Sequence, residues 1–344
     1  MAFVVPAEIG HAPYAAPLME YLIGHFAHVQ IIAVREKMFP ELSEDCWLLY
    51  AEGFGNATDA IKLSMQDRFT PSAHPPSKHL RIEVTQWRQT AKRRLRPYLL
   101  QKDMLDLYFR LAAEPRVQRL GDLARIGIGY VSGANDFFHL RPSEAARWNI
   151  PLSVLHPTVR NGRVLPDKAL TKTAVIEWLN SDDPILLLRL PKSNDLPNGV
   201  KRYLDTDAGR EARLTYKCRT RAPWYSIPDV QVPDFFLSYM SGRNASLVRN
   251  DARCTCTNSV HAVRLYDPRY GAQLQDAWRS PLVQLSCELE GHPLGGGMLK
   301  LEPREAQQVL VPRRVKLSPD ETEAIENSLN HLRQWRHYAD QTNG

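Results

Sequence analysis

MAFVVPAEIG, Met1–Gly10, opens the chain on a continuous apolar, β-branched run. A run without polar alternation is the composition of a strand buried on both faces, as in a parallel sheet. No turn precedes it. The following APLMEYLIGHF repeats apolar side chains at helical spacing through Leu18, Tyr21, Leu22, His25 and Phe26. HVQIIAV and CWLLYAEG then read as two more buried strands. The strand–helix–strand–strand order belongs to an α/β sheet. Three strands and one helix are too few to cover both faces of such a sheet, so this segment is expected to be the tail end of a domain whose beginning is missing.

The chain has 344 residues, enough for one large domain or two ordinary ones. At 43% hydrophobic and 24% charged, it is expected to fold and not to be disordered. A formal charge of +6 favours a polyanionic partner such as nucleic acid, though only weakly. The five cysteines are scattered, and without a secretory leader they are expected as free thiols in a reducing cytoplasm. Cys254 and Cys256 form a CTC pair, but no second Cys/His pair follows at zinc spacing, so no metal site is expected. The apolar start is too short for a membrane span or a signal peptide.

Past this unit the composition changes. TPSAHPPSKHL is a proline-rich connector, and QWRQTAKRRLRPYLL is basic with helical propensity. IGIGYVSGANDFF, PILLLRLP, ARLTYKCRTRAPWY and NSVHAVRLY are short strand-like segments broken by Pro, Gly, Asn and Asp, which points to an irregular β-rich domain. SPDETEAIENSLNHLRQWRHY closes the chain as an amphipathic helix. Ser318 is its N-cap, Pro319 its first residue, and Ile325, Leu329, Leu332 and Trp335 or Arg336 its apolar stripe. The expected division is a sheet unit over 1–68, a linker and basic helix over 69–100, a β-rich domain over 101–312 and the closing helix over 313–344.

GHPLGGGMLKLEP, Gly291–Pro303, resembles a phosphate loop until its context is read. Lys300 is followed by Leu301 and not by Ser or Thr, MLKL is strand-like, and a helix starts only after Pro303. Gly295, Gly296 and Gly297 therefore serve a tight turn, either for core packing or for close approach to a ligand. EGFGN lacks the third glycine of a dinucleotide turn and follows the wrong strand. Read as a strand, ARLTYKCRTRAPWY puts Arg213, Thr215, Lys217, Arg219 and Arg221 on one face, with Tyr216 and Cys218 turned inward and Trp224 and Tyr225 following. A basic ridge ending in aromatics suits a phosphate backbone; lysine and arginine blunting an edge strand is an equal alternative. Asn135, in VSGANDFFHL, has the amide that reads adenine, although Asn in a turn usually serves the backbone. HPTVRNGRVL adds Arg160 and Arg163 about an Asn-Gly turn. There is no GxSxG elbow and no HExxH helix.

In order along the chain, MAFVVPAEIG, VREKMFPELSEDCWLLYAEG, IGIGYVSGANDFFHL, KCRTRAPWY, NSVHAVRL, SPLVQLSCELEGHPLGGGMLKLEP and VLVP resemble the C-terminal half of TaqI-like, gamma-class adenine-N6 DNA methyltransferases of restriction–modification systems. The resemblance implies a partial Rossmann-like methyltransferase sheet, then an α+β, β-rich target recognition domain and a closing helix. It also implies that the glycines close the recognition domain. Such enzymes transfer a methyl group from S-adenosylmethionine to a flipped adenine, using an Asn/Asp-Pro-Pro-aromatic motif that holds and stacks the base. That motif would lie upstream of Met1, and the only Pro-Pro here is in HPPS, His74–Ser77. The implied protein reads double-stranded DNA, with no catalytic residue of its own and S-adenosylmethionine bound only by the complete enzyme. Arg213, Lys217, Arg219 and Arg221 would position phosphates, Trp224 would stack, and Asn135, Arg160 and Arg163 would reach the groove. Its expected partners are a separately encoded catalytic portion and a cognate restriction endonuclease, with no membrane. A free-standing DNA-specificity module and an inactive truncated product are the alternatives.

Overall fold

The computed structural model describes residues 1–42, 44–89, 92–193 and 195–337. Its N-terminal sheet has five strands: β1 (Ala2–Pro6), β2 (Phe26–Val34), β3 (Cys46–Phe54), β4 (Ala60–Gln66) and β5 (Leu80–Glu83), in the order β1-β3-β2-β4-β5. β3 lies antiparallel between β1 and β2, with Val4 opposite Leu48 and Ile32 also opposite Leu48 from the other side. β2 and β4 are the parallel pair of this sheet, and β5 closes it antiparallel.

The opening strand departs from expectation. β1 is an antiparallel edge strand, and Phe3 and Val4 are each 55% exposed. An apolar β-branched run marks a strand, but burial depends on how many neighbours the strand acquires, and β1 has one. HVQIIAV does run through the centre: Val29, Ile31 and Ala33 are fully buried, and the intervening Gln30 and Ile32 are buried as well. Gln30 is satisfied through Nε2, which donates to Ser64 Oγ and to the Pro76 carbonyl, each at 2.9 Å. That second bond ties the proline-rich connector to the sheet.

The helix α1 (Ala15–His25) turns a different face inward from the one expected. Ala15, Met19, Leu22 and Ile23 are buried, while Leu18 and Tyr21 are exposed. This helix is apolar over most of its circumference, so periodicity alone leaves its phase open. The basic stretch is not one helix either. Its helix ends at Gln89, Lys92 and Arg93 take positive φ, and Arg96–Leu99 is a single 3-10 turn; Thr90 and Ala91 lie outside the described residues. Lys92, Arg94 and Arg96 point back into the protein because carboxylates await them there.

The remaining strands form a five-stranded sheet around Phe235–Ser238, a four-stranded sheet around Leu155–Val159 and Leu186–Leu188, a three-stranded sheet containing the His292–Leu294 and Met298–Lys300 hairpin, and a two-stranded pair. ARLTYKCRTRAPWY contains no strand. Thr206 caps a helix over Asp207–Leu214, its hydroxyl accepting from the Gly209 amide, and a short helix covers Tyr216–Arg219. Caps outweigh a weak alternation. Residues two apart then point away from one another, so the basic ridge does not form as a strand face.

The largest core joins distant parts of the chain. Ile31, Leu63, Trp87 and Leu105 pack with Leu282, Leu285 and Leu289 of the Pro281–Glu290 helix and with Ile325, Leu329 and Leu332 of the closing Pro319–Gln334 helix. Ser318 caps that last helix through the Glu321 amide at 3.1 Å, with Glu321 reciprocating. At the centre of this junction sits Glu288, 1% exposed. Its carboxylate accepts from Arg336 Nη2 at 2.7 Å and Nε at 3.0 Å and from Arg96 Nη2 at 3.3 Å, while Arg96 Nε donates to its carbonyl at 3.0 Å. Arg336 also donates to the carbonyls of Gly242 and Gly297. Burial draws the Arg96 guanidinium down to about 10, with Glu288 opposing that shift. Two residues on, Glu290 receives Lys92 and Arg94, each at 2.9 Å.

Two predictions follow from burial. Glu288→Ala leaves buried guanidiniums uncompensated and is expected to cost about 3–5 kcal/mol in urea unfolding; a loss below about 1 kcal/mol would contradict the account. Val4→Thr, on the open edge, is expected to change stability by no more than about 0.5 kcal/mol. A cost of core size in the same titration would return β1 to the interior.

Candidate nucleic-acid interface

The region expected to be β-rich is mixed, with more of its residues in helices than in strands. Three turns meet there beside the Ala124–Ile128 and Leu155–Val159 strands. The first, Val131–Asp136, leaves the Ala124–Ile128 strand and enters the short helix Asn135–Phe138. Its bend needs Gly133: φ is +86°, and a Cβ there would lie 2.7 Å from Lys217 Cβ. The second holds Arg160 and Arg163, with the Asn161 side chain accepting from the Arg163 amide at 3.0 Å. The third is Thr257–Ser259, whose hydroxyls both donate to the Arg160 carbonyl. Arg160 Nη2 reaches across to Asp136 Oδ1 at 3.1 Å.

Polar and aromatic contacts beneath the turns hold them in place. Tyr130 Oη lies 2.8 Å from His139 Nε2 and 2.7 Å from Thr158 Oγ1, all three buried. Burial, reinforced by Arg160, lowers His139 to about 4, so its ring is neutral at pH 7. Phe137 stacks on Tyr203 at 4.7 Å, and Trp224 leans on Phe137 and Phe138 at 5.8 and 6.2 Å. Trp224 is therefore half-buried in this platform.

The structure thus gathers Asn135, Arg160, Lys217, Arg221 and Trp224 around the first turn. Their postures differ from those expected. Arg221 faces inward, Nη1 donating to the Ser132 carbonyl at 2.6 Å and Nη2 to the Val131 carbonyl at 2.5 Å. Cys218 is buried beneath it, with its thiol 3.7 Å from the Ser132 carbonyl. Asn135 is exposed, but its Oδ1 accepts from the Ser132 hydroxyl. Arg163, Arg213, Lys217 and Arg219 are exposed. Tyr216, expected to turn inward, is instead 65% exposed, with Lys217 Nζ at 5.8 Å and Arg219 Cζ at 5.5 Å from its ring. Helical spacing across 216–219 is the signal that would have found it.

The glycine turn lies elsewhere. Gly296 and Gly297, with φ of +72° and +73°, bend the chain between His292–Leu294 and Met298–Lys300, and the Gly297 carbonyl faces Arg336. Gly295 borders a cleft of about 230 Å³ with Glu8, His11, Asp45, Trp47 and Arg96. Among the described residues, His11 of this cleft forms with His292 and Glu305 the group of three whose ligating atoms lie within 4.8 Å of one another. Burial drops His11 to about 3. Burial alone would raise Glu305, but His11, His292 and the Glu302 amide more than offset it and bring the carboxyl to about 2. Cys254 and Cys256 are buried thiols, pushed by burial up to about 12. No helix among the described residues is long and apolar enough to cross a membrane.

Residues 92–343 match a protein family described as Type II methyltransferase M.Eco57I, C-terminal domain. Over 273 residues the chain is 21% identical to the Type II methyltransferase M.AccI of Acinetobacter calcoaceticus, an alignment that covers 76% of this chain and 48% of that protein. The chain thus spans about half the length of that curated relative. Among solved structures it is similar to the type IIG restriction endonuclease BpuSI, with a TM-score of 0.43 and 14% identity over 95% of this chain and 42% of that one. It is also similar to the HsdS subunit of Thermoanaerobacter tengcongensis, with a TM-score of 0.24 and 14% identity over 78% of this chain and 58% of that one. The family match spans well over half of the sequence, and the chain belongs to the family of the C-terminal domain of Type II methyltransferase M.Eco57I.

Proposed function

We propose that this chain is the DNA-reading C-terminal part of a site-specific, S-adenosylmethionine-dependent adenine-N6 DNA methyltransferase of TaqI-like type, working within a restriction–modification system. The observation that carries the reading is the junction of three turns, with exposed Arg163, Arg213, Lys217 and Arg219 and the cation-flanked Tyr216 near it. Exposed cations suit phosphates, and an exposed aromatic offers a π-face to a base or sugar. Arg221 and Trp224 shape the turn that presents these groups. The Asn135 amide and Arg160, mounted on the turns themselves, are the groove-facing candidates.

The Pro-Pro pair of this chain does not fit a flipped adenine. The Pro76 carbonyl of HPPS is bonded to Gln30, and His74 and Ser77 stand where an amide and an aromatic would be needed. Catalysis is assigned to a portion supplied in addition to this chain. Two features support that assignment. β1 and β2 run the same way on either side of β3 and are joined through α1, as in a crossover unit. The first strand and first helix also expose Phe3, Val4, Leu18 and Tyr21, apolar side chains that a further layer would cover.

Isothermal calorimetry on the purified chain is expected to show no stoichiometric binding of S-adenosylmethionine; one equivalent bound at micromolar affinity would overturn the assignment. The DNA reading is tested by fluorescence anisotropy on duplexes over a salt series. The wild type is expected to bind duplex with strong salt dependence, and Lys217→Ala or Arg219→Ala to lower the log–log slope by about 1 each. Unchanged slopes in both variants, or no binding to duplex at low salt, would exclude this surface.

A further inference from the structure

His11 follows the short turn that leads from β1 to α1, and its side chain is almost wholly enclosed. Neither ring nitrogen has a hydrogen-bond partner. Nε2 lies 3.8 Å from Glu305 Oε1, beyond hydrogen-bond reach. Buried polar groups left in this condition are rare and costly, and each needs a reason. The immediate surroundings supply one. His292, on the hairpin strand, brings Nε2 to 2.6 Å from the same Oε1, and the two imidazole rings meet edge to face with centroids 4.2 Å apart. Glu305 is held from behind: its other oxygen accepts from the Glu302 amide at 2.9 Å. One fixed carboxylate oxygen therefore faces two imidazoles from separate parts of the chain.

The donor atoms lie within 4.8 Å of one another. In a tetrahedral zinc site with bonds of about 2.0–2.1 Å, ligand atoms stand about 3.3 Å apart, so closure needs side-chain movements on the order of an ångström. Two imidazoles and a carboxylate form a donor set for late first-row divalent ions, whereas magnesium and calcium prefer oxygen throughout. The Glu302 amide supplies the orienting contact that a ligating carboxylate ordinarily has. The neighbouring cations do not rule out a third: Arg96 is bonded to Glu288 and Arg94 to Glu290. The cleft beside His11, lined in part by Glu8, Asp45 and Gly295, gives an ion a way in and leaves a fourth coordination position open to water.

We propose that His11, His292 and Glu305 bind a zinc-class divalent ion that fastens the start of the N-terminal sheet unit to the hairpin and to the Pro303–Ala306 helix. The role is structural, with the metal joining segments that are distant in sequence. It does not depend on the reading of DNA.

The test uses the full chain, stripped with a strong chelator and titrated with cobalt(II). One equivalent is expected to bind with the visible absorption of a tetrahedral nitrogen–oxygen site and without thiolate-to-metal charge transfer, and zinc is expected to displace it. Zinc is also expected to raise the melting temperature of the stripped protein by several degrees. His292→Ala and Glu305→Gln should abolish both the absorption and the shift, whereas Cys254→Ser with Cys256→Ser should leave both intact. If the first two variants do not fold, the stripped wild type still decides through its spectrum and its melting shift. A wild type that neither gains absorption nor melts higher overturns the proposal. So does binding that survives His292→Ala and Glu305→Gln, or that disappears with the cysteine pair.

Discussion

A carboxylate with almost no solvent holds this molecule together. Glu288 sits on a helix whose residues from Leu282 to Glu290 are all buried, and it meets Arg96 from the basic stretch and Arg336 from just beyond the closing helix. In a medium of low polarity, charges tolerate one another only when every partner is in place. The cluster therefore ties three segments together, and losing any partner leaves a buried charge uncompensated. Arg336 extends the constraint to the carbonyls of Gly242 and Gly297 and so sets the bend that carries His292 toward Glu305. Positive φ at Gly296 and Gly297 is the backbone condition for that bend. The glycines of Gly291–Pro303 thus serve an arginine and a hairpin.

The fold was legible where local signals have a single solution. HVQIIAV runs through the middle of a sheet, and Ser318, Pro319 and Glu321 start the closing helix at the expected residue. Legibility failed where one composition serves two ends. AFVVP is as apolar as a central strand and yet lies at the rim, because the count of neighbouring strands is not written in the strand itself. The stripe of α1 shifted because most of its sides are apolar. The segment around Arg213 looked alternating, but Thr206 and the residues it caps form a helix. Arg336, placed on an apolar stripe by spacing, is buried as a charge.

The candidate interface shows the same division. Asn135 and Arg160 read as turn residues and Lys217 and Arg221 as one face of a strand; the strand does not form, yet all four lie around residues 131–136. Sequence could not say which way they face. Arg221 turns its donors onto the carbonyls of Val131 and Ser132 that the bend presents, and Tyr216 comes out between two cations because a short helix replaces the strand. His11, His292 and Glu305 carried no signal of spacing, since each lies in a different element.

By itself, then, the sequence determined the types of pieces present: an apolar sheet unit, a stretch of short elements with basic turns, a capped closing helix and a likeness to the C-terminal part of a restriction–modification methyltransferase. These follow from interactions among residues near one another in the chain, and local order carries them. Tertiary structure alone decided which strand lies at the edge, which arginines are spent inside, and which histidines share a carboxylate. Those outcomes depend on groups far apart in sequence meeting where water is excluded, and the strength of a charge or a hydrogen bond is set by that environment.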